Sequence, residues 1–163
     1  MSHVFSDLEG LRIAVEMERR GEAFYRRAAK ISKSPETVAF LNQLVEDEKR
    51  HGAEFQRLYD QESQRLSGDP KAYDPETSAY LSAIAADIIF PSGLMALKQV
   101  GFEDPEAVLL HAISSEKDSV LFYTELAQLC QDEHARSVFT EIARQERNHM
   151  AWLQRQLLML NEQ

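Results

Sequence analysis

The sequence predicts an all-α protein, a four-helix bundle made of two antiparallel hairpins joined by a long helical crossover. Three observations lead there. Apolar residues recur at offsets of three, four and seven along four long stretches, the period of a buried helical stripe. Each stretch opens on Ser or Asp, residue types whose side chains cap helix N-termini by accepting backbone N–H bonds. A set of polar residues in the first half also recurs in the second at a constant offset of 98 positions.

The first helix is expected from about Asp7 to Ile31, with Ser6 as cap and Glu9 completing a capping box. The second begins at Ser34-Pro35, with Ser as cap and Pro at the first helical position, and continues to about Arg65. The third begins at Asp104-Pro105 by the same logic and runs to about Leu129; the fourth follows Asp132 and reaches about Leu160. Each is near 40 Å long at about 1.5 Å per residue. Short turns within each pair require antiparallel hairpins. In the crossover, Gly68-Asp69-Pro70 ends the second helix, and Asp74-Pro75-Glu76 starts a shorter one expected to reach about Ile88. Pro91-Ser92-Gly93 starts another, which Gly101 ends. So long a link lets the second and third long helices run parallel. The apolar residues Tyr80, Leu81, Ile84, Ile88, Ile89 and Phe90 either cover one flank of the bundle or meet a second subunit.

At 163 residues the chain is read as one domain, 1–163, large enough for a real core. A net charge of −9 argues against nucleic acid, whose phosphates need clustered Lys and Arg. No apolar run approaches the roughly 20 residues of a membrane span. The start, MSHVFSDLEG, lacks the basic and apolar stretches of a signal peptide, so a cytoplasmic location is expected. Cys130 is the single cysteine, which rules out a disulfide within the chain and a thiolate metal site.

The repeat carries the chemistry. Glu18, Tyr25, Glu48 and His51 return as Glu116, Tyr123, Glu146 and His149. Phe24, Ala29 and Leu44 map onto Phe122, Ala127 and Ile142, and the caps Ser6 and Ser34 onto Asp104 and Asp132. Each of the four glutamates sits within an apolar stripe, and burying an ionised carboxylate alone is very costly. Four carboxylates and two imidazoles converging inside a four-helix bundle form the ligand set of a paired-metal site. In each Glu-x-x-His the two side chains are neighbours on one helix face. The natural arrangement places Glu48 and Glu146 between two metals, with Glu18 and His51 on one and Glu116 and His149 on the other, although spacing alone leaves open which carboxylates bridge. Carboxylate and imidazole without thiolate suit Fe(II) or Mn(II), with Zn(II) as a substitute. Tyr25 and Tyr123, on the same faces as Glu18 and Glu116, are placed to hydrogen-bond a ligand carboxylate. Glu22, one turn after Glu18, is a candidate additional carboxylate, though its repeat counterpart is Val120. Glu16, Glu46, Asp47 and His111 are expected to face solvent, and His3 and His134 have no counterpart in the repeat.

Glu-x6-Tyr on the first and third helices with Glu-x-x-His on the second and fourth resembles the rubrerythrin group of the ferritin-like superfamily, over nearly the whole chain. The resemblance implies a di-iron site held by Glu18, Glu48, His51, Glu116, Glu146 and His149, reaction with hydrogen peroxide or O₂, and a homodimer. Full rubrerythrins carry a rubredoxin domain with four cysteines; here the electron donor is expected to be a separate protein. They also carry a further glutamate at the position of Ser119, which sets this chain apart from the peroxide chemistry tied to that group. Two functions follow as expectations: a di-iron oxidoreductase reducing peroxide or O₂, or an iron-handling protein that binds and oxidises Fe(II) without useful turnover.

Overall fold

The computed structural model describes residues 5–86 and 102–162. Five helices make up the described chain: α1 (Asp7–Ile31), α2 (Pro35–Arg65), α3 (Pro75–Ile84), α4 (Pro105–Leu129) and α5 (Glu133–Asn161). The caps do what the sequence requires. Ser6 accepts from the Glu9 amide, Ser34 from Thr37, Asp74 from Thr77, Asp104 from Glu106 and Asp132 from Ala135. At the start of α1 the Glu9 carboxylate forks with Arg12.

Side-chain pairs give the directions. Tyr25 meets Glu116 while Tyr123 meets Glu18, so α1 and α4 are antiparallel. Asp47 meets His149 and Arg65 meets Asp132, so α2 and α5 are antiparallel too. With α1 and α2 joined as a hairpin, α2 and α4 run parallel, as the crossover demands. The start of the crossover lies along the N-terminus of α1: Tyr73 N–H donates to Phe5 C=O at 2.8 Å, and Tyr73 O–H bonds Asp7. Leu81 is fully buried beside Phe5, so this part of the crossover covers the flank of the bundle. Helix α3 ends at Ile84, four residues short of the expected Ile88. Ile88, Ile89, Phe90 and the expected helix from Pro91 lie outside the described residues.

Two apolar clusters fill the bundle. One joins Phe55 of α2 and Tyr123 of α4 to Phe139 and Ile142 of α5; the other joins Tyr25 of α1 and Leu41 and Leu44 of α2 to Leu153 of α5. Each cluster thus draws on both halves, and matched residues such as Leu44 and Ile142 fall in opposite clusters. The repeat in sequence has become a pseudo-twofold axis in space, with the polar residues between the two plugs.

Candidate metal centre

Glu18, Glu48, Glu116 and Glu146 are 1–5% exposed, and His51 and His149 are 2% and 7% exposed. They are brought into reach of one another because they lie mid-helix on the buried stripes of four helices, Glu18 on α1, Glu48 and His51 on α2, Glu116 on α4, and Glu146 and His149 on α5. Among the described residues, two groups offer ligand atoms lying within 4.8 Å of each other: Glu18, Glu48, His51 and Glu146, and Glu48, Glu116, Glu146 and His149. Glu48 and Glu146 belong to both.

The contacts are those of atoms converging on a shared space. His51 Nδ1 is 2.7 Å from Glu146 Oε1 and 3.3 Å from Glu18 Oε2. These are ion-pair distances, yet neither meets hydrogen-bond geometry. Glu18 Oε2, Glu48 Oε1, His51 Nδ1, Glu116 Oε2 and Glu146 Oε1 are all buried without a hydrogen-bond partner in the protein. Unpaired buried polar atoms are rare and costly. Five in one cluster, all of ligand type, fit a pair of divalent ions, whose charge four carboxylates would offset by formal counting.

The remaining bonds orient the ligands. Tyr25 O–H donates to Glu116 Oε1, and Tyr123 O–H donates to Glu18 Oε1. Each tyrosine therefore holds the glutamate of the opposite half. The outward histidine nitrogens are also held: His149 Nε2 lies 3.1 Å from Asp47 Oδ2, and His51 Nε2 lies 2.9 Å from Gln145 Oε1. Holding Nε2 in this way leaves Nδ1 to face the cavity. Helix α1 makes room for one ligand through Gly21, where a Cβ would overlap Glu48 Oε2.

Electrostatics follow from crowding. Burial, reinforced by neighbouring carboxylates, pushes Glu18, Glu48 and Glu116 upward, and burial beside carboxylates raises Tyr25 and Tyr123. Burial alone would lower His51, but Glu146 and Glu18 outweigh it and raise the imidazole to about 10. His149 is raised against its burial by Glu146 and Asp47. Burial would raise Glu146 too; its neighbours Glu116, His149 and His51 outweigh it and hold it below the ordinary range.

Several outer residues sit differently from expectation. Asp47 is not a solvated flank: the antiparallel α5 brings His149 against it. His111 is half-buried, its ring 4.9 Å from Phe24. Glu22 does not join the cluster; its Oε1 accepts from Arg26 one turn on, at 2.6 Å, at the edge of α1. His134 is exposed beside Arg57, and Glu46 is exposed. His3 lies outside the described residues. Asp47 was assigned to solvent in sequence, and Gln145 and Gly21 went unnoticed. A signal existed for the first two: they stand one position before Glu48 and Glu146, 98 residues apart.

Known proteins resemble this chain in sequence and in fold. The rubrerythrin family profile matches residues 5–78 and 107–163, more than half the chain and both Glu-x-x-His elements. The chain belongs to the rubrerythrin family. Two solved structures share the ferritin-like fold. A hypothetical protein from Pyrococcus furiosus aligns with a TM-score of 0.69 at 22% identity, over 97% of this chain and 92% of the other. A protein from Thermotoga maritima, described as an inferred ferritin-like diiron-carboxylate protein, aligns with a TM-score of 0.68 at 24% identity, over 96% and 97%. No curated protein matches the chain. Among the described residues, no helix of this rubrerythrin-family chain is long and apolar enough to cross a membrane.

Proposed function

We propose that this chain is a di-iron oxidoreductase that reduces hydrogen peroxide or O₂, with electrons returned by a separate donor protein. The observation that supports it is the pair of overlapping buried ligand groups sharing Glu48 and Glu146. When bound, two iron ions supply two electrons to one O–O bond; with peroxide, two electrons and two protons yield two waters. The protein's part is placement. Glu18, Glu48, His51, Glu116, Glu146 and His149 would hold the ions, with Mn or Zn as possible substitutes. Tyr25 and Tyr123 fix one oxygen each of Glu116 and Glu18, leaving the other oxygen toward the cavity. The apolar clusters on either side keep bulk water from the carboxylates.

A second reading, iron handling, draws on one observation. The cluster contains four carboxylates, and Glu22 is turned away to Arg26. Four such groups offset two divalent ions but leave two formal positive charges on a trivalent pair. On this reading the oxidised pair, short of neutralising charge unless oxide or hydroxide supplies it, is held less well than the ferrous pair and is released.

Stopped-flow absorbance of the anaerobic Fe(II)-loaded protein, mixed separately with peroxide and with O₂, separates the readings. Fast oxidation by peroxide, with repeated turnover once a reductant is supplied, is the expected result. Oxidation with iron released and no turnover would favour iron handling. No oxidation by either, with iron still bound, would remove the redox reading.

A further inference from the structure

The outward nitrogens of the two histidines distinguish the halves of the site. Asp47 and Gln145 occupy the same repeat position, and each holds the histidine of the opposite half. Their supports are exchanged as well. Gln43 Nε2 donates to Asp47 Oδ1 at 3.2 Å, whereas Gln145 Nε2 donates to Glu141 Oε1 at 3.0 Å. Positions 43 and 141 are again 98 apart. Each half therefore has one acid and one amide a helical turn apart, but in opposite order, and among the described residues a carboxylate reaches the outward nitrogen of a histidine only on the His149 side. Because Gln145 gives its N–H₂ to Glu141, its carbonyl oxygen is the atom left for His51. Arg50 Nη2 lies 2.9 Å from Gln145 Oε1, the atom that meets His51, and 3.0 Å from Asp47 Oδ1, not the Oδ2 that meets His149.

An imidazole whose far N–H is held by a carboxylate is a stronger metal donor than one held by a neutral amide oxygen. We propose that Asp47 and Gln145 are positioning residues that make the two metal positions unequal, the one on His149 binding a divalent ion more tightly and filling first. This inference rests on reading the six buried residues as a two-ion site. The ligand types do not by themselves set the two positions apart, since each group supplies three carboxylates and one imidazole.

The test is anaerobic titration of the metal-free full chain with Co(II) at fixed pH, followed by calorimetry and by visible ligand-field absorption. Two steps are expected, the first about tenfold tighter. His149→Ala should remove the tight step and His51→Ala the weak one. The isosteric Asp47→Asn should weaken the tight step by about ten- to a hundredfold and leave the weak step and its spectrum in place. Gln145→Glu should tighten the weak step, and it carries the test alone if Asp47→Asn fails to fold by circular dichroism. Equal steps in the unaltered chain, or equal weakening of both by Asp47→Asn, would overturn the inference while leaving the two-ion site standing. Binding of fewer than two ions by the unaltered chain would overturn both.

Discussion

Helices α1 and α4 occupy matching places in the two halves, yet only their inner faces agree. On α1, Glu18 and Tyr25 face the cluster, while the outer face is laddered by Glu9 with Arg12, Glu16 with Arg19 and Glu22 with Arg26. On α4, Glu116 and Tyr123 stand at the same offsets, but the outer face leaves Leu110 and Leu121 exposed. Exposed ion pairs contribute little, so the outer faces were free to diverge. The inner faces were not, because each tyrosine and each histidine is completed by a residue of the other half. The repeat persists where the two halves must meet.

The sharpest way to break this symmetry is to remove the two shared carboxylates one at a time. Either Glu48→Gln or Glu146→Gln should abolish paired-metal binding. In the metal-free protein they should act oppositely. Burial and neighbouring carboxylates raise Glu48, so its amide relieves repulsion and should raise the melting temperature. Glu146 is the partner of both histidines, and removing one member of a buried pair costs about 3–5 kcal/mol. Thermal unfolding with and without chelator checks both; two shifts of the same sign would show that the carboxylates are electrostatically equivalent.

The pH dependence has a definite sign. Glu18, Glu48 and Glu116 lie above the ordinary 4.5, and His51 lies at about 10 against 6.5. Groups raised in the folded state add stability below their unfolded values and lose it as pH rises through the folded ones. The metal-free chain should therefore weaken as pH climbs from about 4.5 toward 10. Metal binding runs the other way, since its ligands must give up protons. The gap in melting temperature between loaded and metal-free protein should widen with pH; a narrowing gap would contradict the assignment.

Tyr25→Phe and Tyr123→Phe test the crossed hydrogen bonds. Each should cost about 1.5–3 kcal/mol, the range for a bond to a charged group, and by similar amounts. Denaturant unfolding that shows a loss at only one tyrosine would mean that the symmetry is geometric and not energetic.

The smallest effect compares two helical glycines. Gly52→Ala places a methyl group 3.4 Å from Glu18 Cβ, an ordinary contact, and should gain about 1 kcal/mol from helix propensity. Gly21→Ala should fold but displace the Glu48 carboxylate and weaken metal binding by about tenfold. Equal metal affinity in the two variants would remove Gly21 from the site.

The long helices were legible because Ser6, Ser34, Asp104 and Asp132 mark their starts and helical turns are local. The six clustered residues were legible because the offset of 98 ties each to a twin. Asp47 was misread because a helical wheel places it off the inner stripe, and only the antiparallel pairing of α2 with α5 brings His149 to it. Gly21 was hidden for a related reason: an absent side chain has no pattern, and its role depends on where Glu48 ends up.

The central claim is that these six buried side chains hold two ions with Glu48 and Glu146 shared between them. Anomalous diffraction at the iron edge, from crystals loaded anaerobically with Fe(II), tests it most directly. The account predicts two peaks within the cluster, both in contact with Glu48 and Glu146, one beside His51 and the other beside His149. A single peak, or iron bound only at surface carboxylates, would contradict it.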